Sequence, residues 1–153
     1  MNIRHTTSAD LADIKRILDD TELFPADILD SMFETSQSKD PSEIWMTTEI
    51  EGRAVAFCYA APEPLTDGTW NMLAIGVRGD RQGDGIGGEL TRALESQLRA
   101  DRHRILIADT SGADDFARTR AFYRKQGYTE ESRIRDFWAA GDDKVTFRKA
   151  LQD

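Results

Sequence analysis

The segment Val77-Arg78-Gly79-Asp80-Arg81-Gln82-Gly83-Asp84-Gly85-Ile86-Gly87-Gly88 limits this chain more than any other stretch. Before it, residues 70–77 are largely apolar and read as a central strand. After it, Ile86, Leu90, Ala93, Leu94 and Leu98 mark one face of an amphipathic helix. Gly85, Gly87 and Gly88 crowd the first turn of that helix, although a glycine inside a helix costs about 1 kcal/mol relative to alanine. Glycines there let backbone N–H groups approach an anion closely, and the helix dipole adds favourable potential. A phosphate or diphosphate is the natural ligand. Arg78 and Arg81 are offset by Asp80 and Asp84, so the attraction must rest on backbone donors.

Other readings of the loop stand beside this one. No Gly-Lys-Ser/Thr ends it, so it is not a Walker loop. It does match G-x-G-x-x-G at Gly83, Gly85 and Gly88, and Asp109 follows about where a dinucleotide fold wants an acid. Against a dinucleotide site, residues 78–82 intervene between strand and first glycine, and too little chain follows Asp109 for a second half-fold. A flexible connection without a ligand is the plainest alternative, but flexibility does not explain glycines beyond the helix start.

The remaining pattern supplies a fold. Ile3 and its neighbours predict a short first strand, and Thr7-Ser8-Ala9-Asp10 predicts a helix start with a hydroxyl cap and an acid in the first turn. Leu11, Ile14, Ile17 and Leu18 follow at helical spacing. A second helix begins near Pro25 with Ile28, Leu29, Met32 and Phe33 on its buried side, and residues 36–41 form a polar break. Residues 44–50 and 53–60 predict strands joined by a tight turn at Glu51-Gly52, with a loop over residues 62–68. Residues 105–108 form a short apolar strand. Asp114 starts a helix that ends at Gly127, and residues 129–138 and 144–150 form two last strands. The order β-α-α-β-β-β-α-β-α-β-β predicts an α/β protein, a mixed sheet with helices on both faces.

The 153 residues fit a single domain, 1–153, able to bury one core without disulfides or metals. No apolar run reaches bilayer length, and the first residues lack a signal-peptide apolar stretch, so the expected compartment is the cytoplasm and no membrane partner is expected. The net charge of −8 argues against nucleic-acid binding and is compatible with a cationic acceptor or simply with a soluble surface. Cys58, the single cysteine, lies in the apolar run 54–60 and reads as a small buried hydrophobe. His5 and His103 sit at strand edges away from any partner of catalytic or metal-ligand spacing, so no metal is expected.

Two further segments carry a family resemblance. Gln82-Gly83-Asp84-Gly85-Ile86-Gly87 after Ile75-Gly76-Val77 resembles the Q/R-x-x-G-x-G/A acetyl-coenzyme A loop of the GNAT N-acetyltransferase superfamily. Phe122-Tyr123-Arg124-Lys125-Gln126-Gly127-Tyr128 is similar to the same family's Phe-Tyr-x-x-x-Gly-Phe/Tyr helix end, and Ile3-Arg4 with Thr7 and Asp10 resembles its opening. The resemblance spans nearly the whole chain. It implies the GNAT fold, a central, mostly antiparallel sheet flanked by helices, with acetyl-coenzyme A as cosubstrate and an amine acceptor, small molecule or peptide. Main-chain groups of Ile75 and Val77 would pair with the pantetheine arm. Gln82, Gly83, Asp84, Gly85, Ile86, Gly87 and Gly88 would hold the pyrophosphate through their amides. Tyr123 would protonate the leaving thiolate, which a phenol can do, with Phe122 as core anchor and Tyr123 turned toward the cleft. Phe116 and Thr119 stand where the family often has Asn and Ala, which puts one polar contact to the cofactor arm in question.

Without a credible Cys-His or Ser-His pair, the expected reaction is direct attack of the amine in a ternary complex. Asp109 and Asp136 are candidate proton acceptors, because the central strand holds no Asp or Glu from residue 70 to 77; water relayed by backbone carbonyls is the other route. The acceptor pocket is expected from Leu23-Phe24-Pro25, the ends of the two central strands, and the last hairpin with Phe137 and Trp138. Trp70 and Trp138 line it or join the core, Asp142 and Asp143 draw a cation or form a polar turn, and Arg118 or Arg120 touches cofactor phosphate or solvent. A non-catalytic acyl-coenzyme A sensor on the same fold is the alternative function. The acceptor's identity stays open, and so does the oligomeric state, a homodimer included.

Overall fold

The computed structural model describes residues 1–39 and 43–153. Seven strands, β1 (Asn2–His5), β2 (Ile44–Ile50), β3 (Arg53–Pro62), β4 (Thr69–Val77), β5 (Ile105–Ser111), β6 (Thr129–Ala139) and β7 (Asp142–Ala150), form one sheet in the order β1-β2-β3-β4-β5-β7-β6. The helices are α1 (Leu11–Thr21), α2 (Leu29–Gln37), α3 (Ile86–Ala100) and α4 (Ala117–Lys125). β4 runs parallel to β5, while β1–β2, β2–β3, β5–β7 and β6–β7 are antiparallel. The mixed, mostly antiparallel α/β fold expected from the sequence is therefore the one that forms. Among the described residues no helix is long and apolar enough to cross a membrane.

The chain divides into two compact units, Met1–Ala61 with Leu73–Ser96, and Pro62–Met72 with Gln97–Asp153. In the first unit, β3 is buried at every position from Ala54 to Ala61. Successive strand residues face opposite sides, so the sheet is covered on both sides there. Ile14, Ile17 and Leu18 of α1 and Leu29 and Phe33 of α2 pack with Trp45, Phe57 and Tyr59. Trp45 stacks on Tyr59 with centroids 4.3 Å apart. A 3-10 turn, Ser8–Asp10, begins where the helix start was expected and α1 follows from Leu11, but the hydroxyl cap does not form: the Asp10 carboxylate accepts the Thr7 amide at 2.8 Å instead, while Arg4 holds the same carboxylate at 2.7 Å.

Three expectations change here. Ile28 is 42% exposed, because a single 3-10 turn, Ala26–Ile28, precedes α2 and shifts the phase of its apolar face. The polar break begins later than residue 36: Ser36 lies within α2, buried, and accepts the Trp45 indole N–H at 2.7 Å. Asp40 and Pro41 of that break lie outside the described residues. The strands also outrun their apolar cores; β5 continues through Asp109, Thr110 and Ser111 because β7 supplies ladder partners as far as Lys144.

In the second unit, β5 is sandwiched between the first residues of β4 and β7. β6 is exposed along its whole length and carries register shifts at Glu130/Ser132 and Ile134/Ala139. Asp136, with φ 57°, sits inside the second shift. Its amide donates to Asp143 at 3.0 Å and its carboxylate accepts the Gly141 amide at 2.9 Å. That engagement makes Asp136 a turn-forming residue.

Candidate functional site

The glycine-rich connection belongs to the first unit. At the end of β4 the Arg78 amide donates to the Val55 carbonyl at 2.8 Å, and the Gly79 amide to the Asp20 carboxylate at 2.8 Å. Arg78 clasps Asp80 at 2.6 Å, so its charge is spent locally. The Gln82 amide group donates to the Val77 carbonyl at 3.0 Å and so ties the turn to its strand. Gln82, Gly83, Asp84 and Gly85 are exposed. Gly83 and Gly85 adopt φ of +90° and +80°, and a Cβ at either would meet nothing within 4 Å. Glycine is required there by the left-handed backbone and not by crowding from the chain itself.

α3 begins at Ile86, and its first helical bond runs from the Glu89 amide to the Gly85 carbonyl at 3.2 Å. The amides of Ile86, Gly87 and Gly88 therefore have no carbonyl four residues back within the helix. Ile86, Leu90, Leu94 and Leu98 are each at most 4% exposed, which fixes the helix by its opposite face and leaves its start open. The result is an exposed glycine turn, Gly83–Gly85, leading into helix-start amides that lack a helical carbonyl, with no net side-chain charge, an arrangement that suits an anion of a phosphate kind.

Tyr123 belongs to the second unit. It lies on α4 and is only 4% exposed. Its ring packs 5.3 Å from Phe147 and 5.8 Å from Tyr128. The expected division between Phe122 and Tyr123 is thus reversed: Phe122 is half-buried and Tyr123 is the packed residue. Burial, and then the Asp109 carboxylate, push the Tyr123 phenol above its ordinary range, so it stays protonated. Among the described residues its hydroxyl has no hydrogen-bond partner. α4 is aimed by Arg120, which donates to the Ser111 and Ala113 carbonyls at 2.8 and 2.7 Å. Arg120 is therefore a strut for the helix start. Arg118 is exposed.

The second unit also holds a polar cluster that the sequence exposes only in part. Asp109 accepts the Thr146 hydroxyl at 2.6 Å and the Asn71 carboxamide N–H at 3.2 Å, with the Lys144 ammonium at 3.8 Å. The same Asn71 nitrogen donates to Glu63 at 2.8 Å. Asn71 is 5% exposed, and its Oδ1 has no partner. Glu63, Asn71, Thr146 and Lys144 were not singled out by sequence reasoning; the available signal was Asn71, a polar side chain inside an otherwise apolar strand.

The other expected pocket residues scatter. Phe24 and Pro25 line a groove of about 360 Å³ with Leu18, Asp19, Glu22 and Ala26. Trp70 is core, 3% exposed, against the His103 ring at 5.1 Å. Trp138 is 49% exposed and donates to the Thr110 carbonyl at 3.2 Å. Asp143 pairs with Arg133 at 2.9 Å, and Asp142 accepts the Ser111 hydroxyl, so both are turn residues. Cys58 is fully buried, and burial pushes its thiol up to about 12. A thiol so protonated is no nucleophile near neutral pH. Among the described residues no group of three or more His, Cys, Asp or Glu is placed to hold a metal ion.

Comparison with known proteins gives one consistent answer. The family described as the acetyltransferase (GNAT) family matches residues 11–128. A GNAT-family protein from Desulfovibrio desulfuricans superposes with a TM-score of 0.90 at 26% identity over 99% of both chains. An aminoglycoside 6'-N-acetyltransferase complexed with coenzyme A superposes at 0.84 with 16% identity, over 100% of this chain and 98% of that one. The yncA protein of Salmonella typhimurium, solved with acetyl-coenzyme A, superposes at 0.82 with 18% identity, over 100% of this chain and 95% of that one. No curated protein matches the sequence.

Proposed function

The chain belongs to the GNAT acetyltransferase family, acyltransferases by activity, and from that premise we propose that it moves the acetyl group of acetyl-coenzyme A onto a primary amine by direct attack in a ternary complex. One observation carries the reading. The exposed, left-handed turn through Gly83 and Gly85 leads directly into the first amides of α3, which have no carbonyl partner within the helix. That fits a diphosphate and little else of the chain's own making. Two of the similar structures hold coenzyme A or acetyl-coenzyme A, and the proposal carries that ligand to this chain.

In this reading the amides from Gly83 to Gly88 orient the diphosphate, with Gln82 and Asp84 shaping the turn. Main-chain groups of Ile75 and Val77, past the paired residues 69–71 of β4, take the pantetheine arm. The Val77 carbonyl is already committed to Gln82, so the arm would rely on the remaining groups. Tyr123 gives its proton to the departing thiolate; burial keeps that proton available at every physiological pH. No covalent enzyme intermediate is used, in line with a buried, protonated Cys58. Residues 1–153 act as one transferase domain, in the cytoplasm.

Calorimetric titration with coenzyme A, followed by thiol release from acetyl-coenzyme A across an amine panel, tests the proposal. Binding and acceptor-dependent release are expected. Binding without release for any amine would favour a non-catalytic acyl-coenzyme A sensor, and no binding would end the assignment.

A further inference from the structure

We propose that β6 is a self-association surface, on which a second copy of this chain docks antiparallel about Arg133 to make a two-fold dimer. The strand lies wholly in the second unit, and the inference does not rest on the transferase reading. Three observations carry it.

The first is exposure. β6 ends the sheet, so one of its edges has no neighbouring strand, and every residue from Thr129 to Ala139 is exposed. Its neighbours differ: β5 buries Leu106 and Ala108, and β7 buries Val145 and Phe147. Three of the nine large apolar side chains exposed among the described residues, Ile134, Phe137 and Trp138, fall within five residues of β6. Each is about half exposed, so together they offer roughly 300 Å² of surface, a size at which an exposed apolar patch is often functional.

The second is preorganisation. Phe137 meets Trp138 edge-on with centroids 4.7 Å apart, and the Lys144 ammonium lies 4.4 Å over the Phe137 ring. The Trp138 indole N–H donates to the Thr110 carbonyl at 3.2 Å. The turn that carries the rings is pinned by Asp136, whose amide and carboxylate both bond within the hairpin. Exposed rings already fixed in place lose little conformational freedom on docking, and such side chains anchor interfaces.

The third is charge. β6 carries five charged side chains. Glu130 is held by Arg124, Arg133 by Asp143, and Asp136 by the Gly141 amide. Glu131 and Arg135 make no ion pair among the described residues. Both fall where the β6–β7 register shifts, and such irregularities turn side chains away from the ladder. They are opposite in sign and four residues apart, with Arg133 midway. An antiparallel copy centred on Arg133 sets each Glu131 against the other copy's Arg135, twice by symmetry. Phe137 then covers the other copy's Thr129, closing both ends around those pairs. The like-charged matches, Arg133 with itself and Glu130 with Asp136, involve groups the chain already compensates. A chain of net charge −8 repels its own copies, so a strand of locally balanced charge is where two can meet. A purely acidic or basic partner would be matched at one end of this strand and repelled at the other.

Sedimentation velocity of the full chain reads the result, at concentrations up to roughly 1 mM, where even a pairing with a Kd of about 1 mM would show. A reversible species of twice the 17.2 kDa chain mass is expected. Phe137→Ser should weaken it by about 10-fold or more. Arg135→Glu sets acid against acid and should do the same, while the exchange Glu131→Arg with Arg135→Glu should restore association to within about threefold of wild type. A variant that had merely misfolded would not recover, and circular dichroism checks that each is folded. A monomer at every concentration overturns the inference. So does association that ignores these substitutions, which would place the contact on another face, or a folded exchange variant that does not recover.

Discussion

The Tyr123 ring lies 5.3 Å from the Phe147 ring, tilted by 31°, and this contact separates what its ring does from what its hydroxyl does. The ring fills the core of its unit, while the hydroxyl has no hydrogen-bond partner among the described residues. Tyr123→Phe therefore keeps the packing and removes only the proton donor. Turnover with acetyl-coenzyme A should fall by about 100-fold or more, while coenzyme A affinity and thermal midpoint stay close to wild type. Because burial and Asp109 raise the phenol's pKa, the wild-type rate should show no alkaline loss from Tyr123 below about pH 10, the ordinary tyrosine value. Steady-state rates across pH, with calorimetry on the variant, check both parts; an unchanged rate in the variant would refute the donor role.

The strand-turn-helix around residues 77–88 was legible because glycine at a helix start contradicts local propensity, and such contradictions mark places where backbone geometry is in demand. The element order was legible for the ordinary reason that helical and strand periodicities differ. The orientation of Tyr123 was not. Adjacent aromatic residues on a short helix offer two candidates for one core slot, and only the position of Phe147 on a distant strand decides between them. The cluster around Asn71 was illegible for a similar reason. Glu63, Asn71, Asp109 and Thr146 come from separate segments, and the ladder that aligns Asp109 with Thr146 is set by register, which apolar runs do not encode for the polar residues at their ends.

The turn itself can be tested without disturbing the core. A Cβ at Gly85 meets nothing within 4 Å, yet the φ of +80° is one that an alanine rarely adopts. Gly85→Ala should therefore cost roughly 1–2 kcal/mol of backbone strain with no steric damage to the fold. Its effect on coenzyme A should be larger, at least about 100-fold in Kd, or about 2.7 kcal/mol, since the added methyl occupies the space the diphosphate needs. Calorimetry against a urea melt separates the two; an affinity loss no greater than the stability loss would argue against ligand contact at this turn.

Acid should weaken the fold through Asp10. Its carboxylate is held by Arg4 at 2.7 and 2.8 Å and by the Thr7 amide at 2.8 Å. The Arg4 hydrogen bonds, chiefly, lower its pKa despite burial. A depressed folded-state pKa means the stabilisation is complete above the unfolded value, about 3.9, and disappears as pH falls through the folded value. Asp13, lowered mainly by Arg53, behaves alike. Asp10→Asn should cost on the order of 1–2 kcal/mol at pH 7 and flatten the stability loss below about pH 4. Urea midpoints for the two proteins at pH 7 and pH 3 measure this; a gap between them that persists undiminished at pH 3 would contradict it.

Gly76 tests the packing that fixes the end of β4. A Cβ there would lie 3.0 Å from Leu23 Cδ1, 3.1 Å from Ile17 Cγ2 and 3.2 Å from Phe57 Cε1. Leu23 is 43% exposed and can swing aside, but Ile17 and Phe57 are fully buried. Alanine is the better strand former, a gain of a few tenths of a kcal/mol, against about 1–3 kcal/mol for overpacking a close-fitted core. The clash wins. Gly76→Ala should lower the thermal midpoint by roughly 2–10 °C, at 2–4 °C per kcal/mol for a chain of this size. Pairing it with Leu23→Ala should restore little, because the two rigid neighbours remain; full recovery in the double variant would place the strain on Leu23 instead.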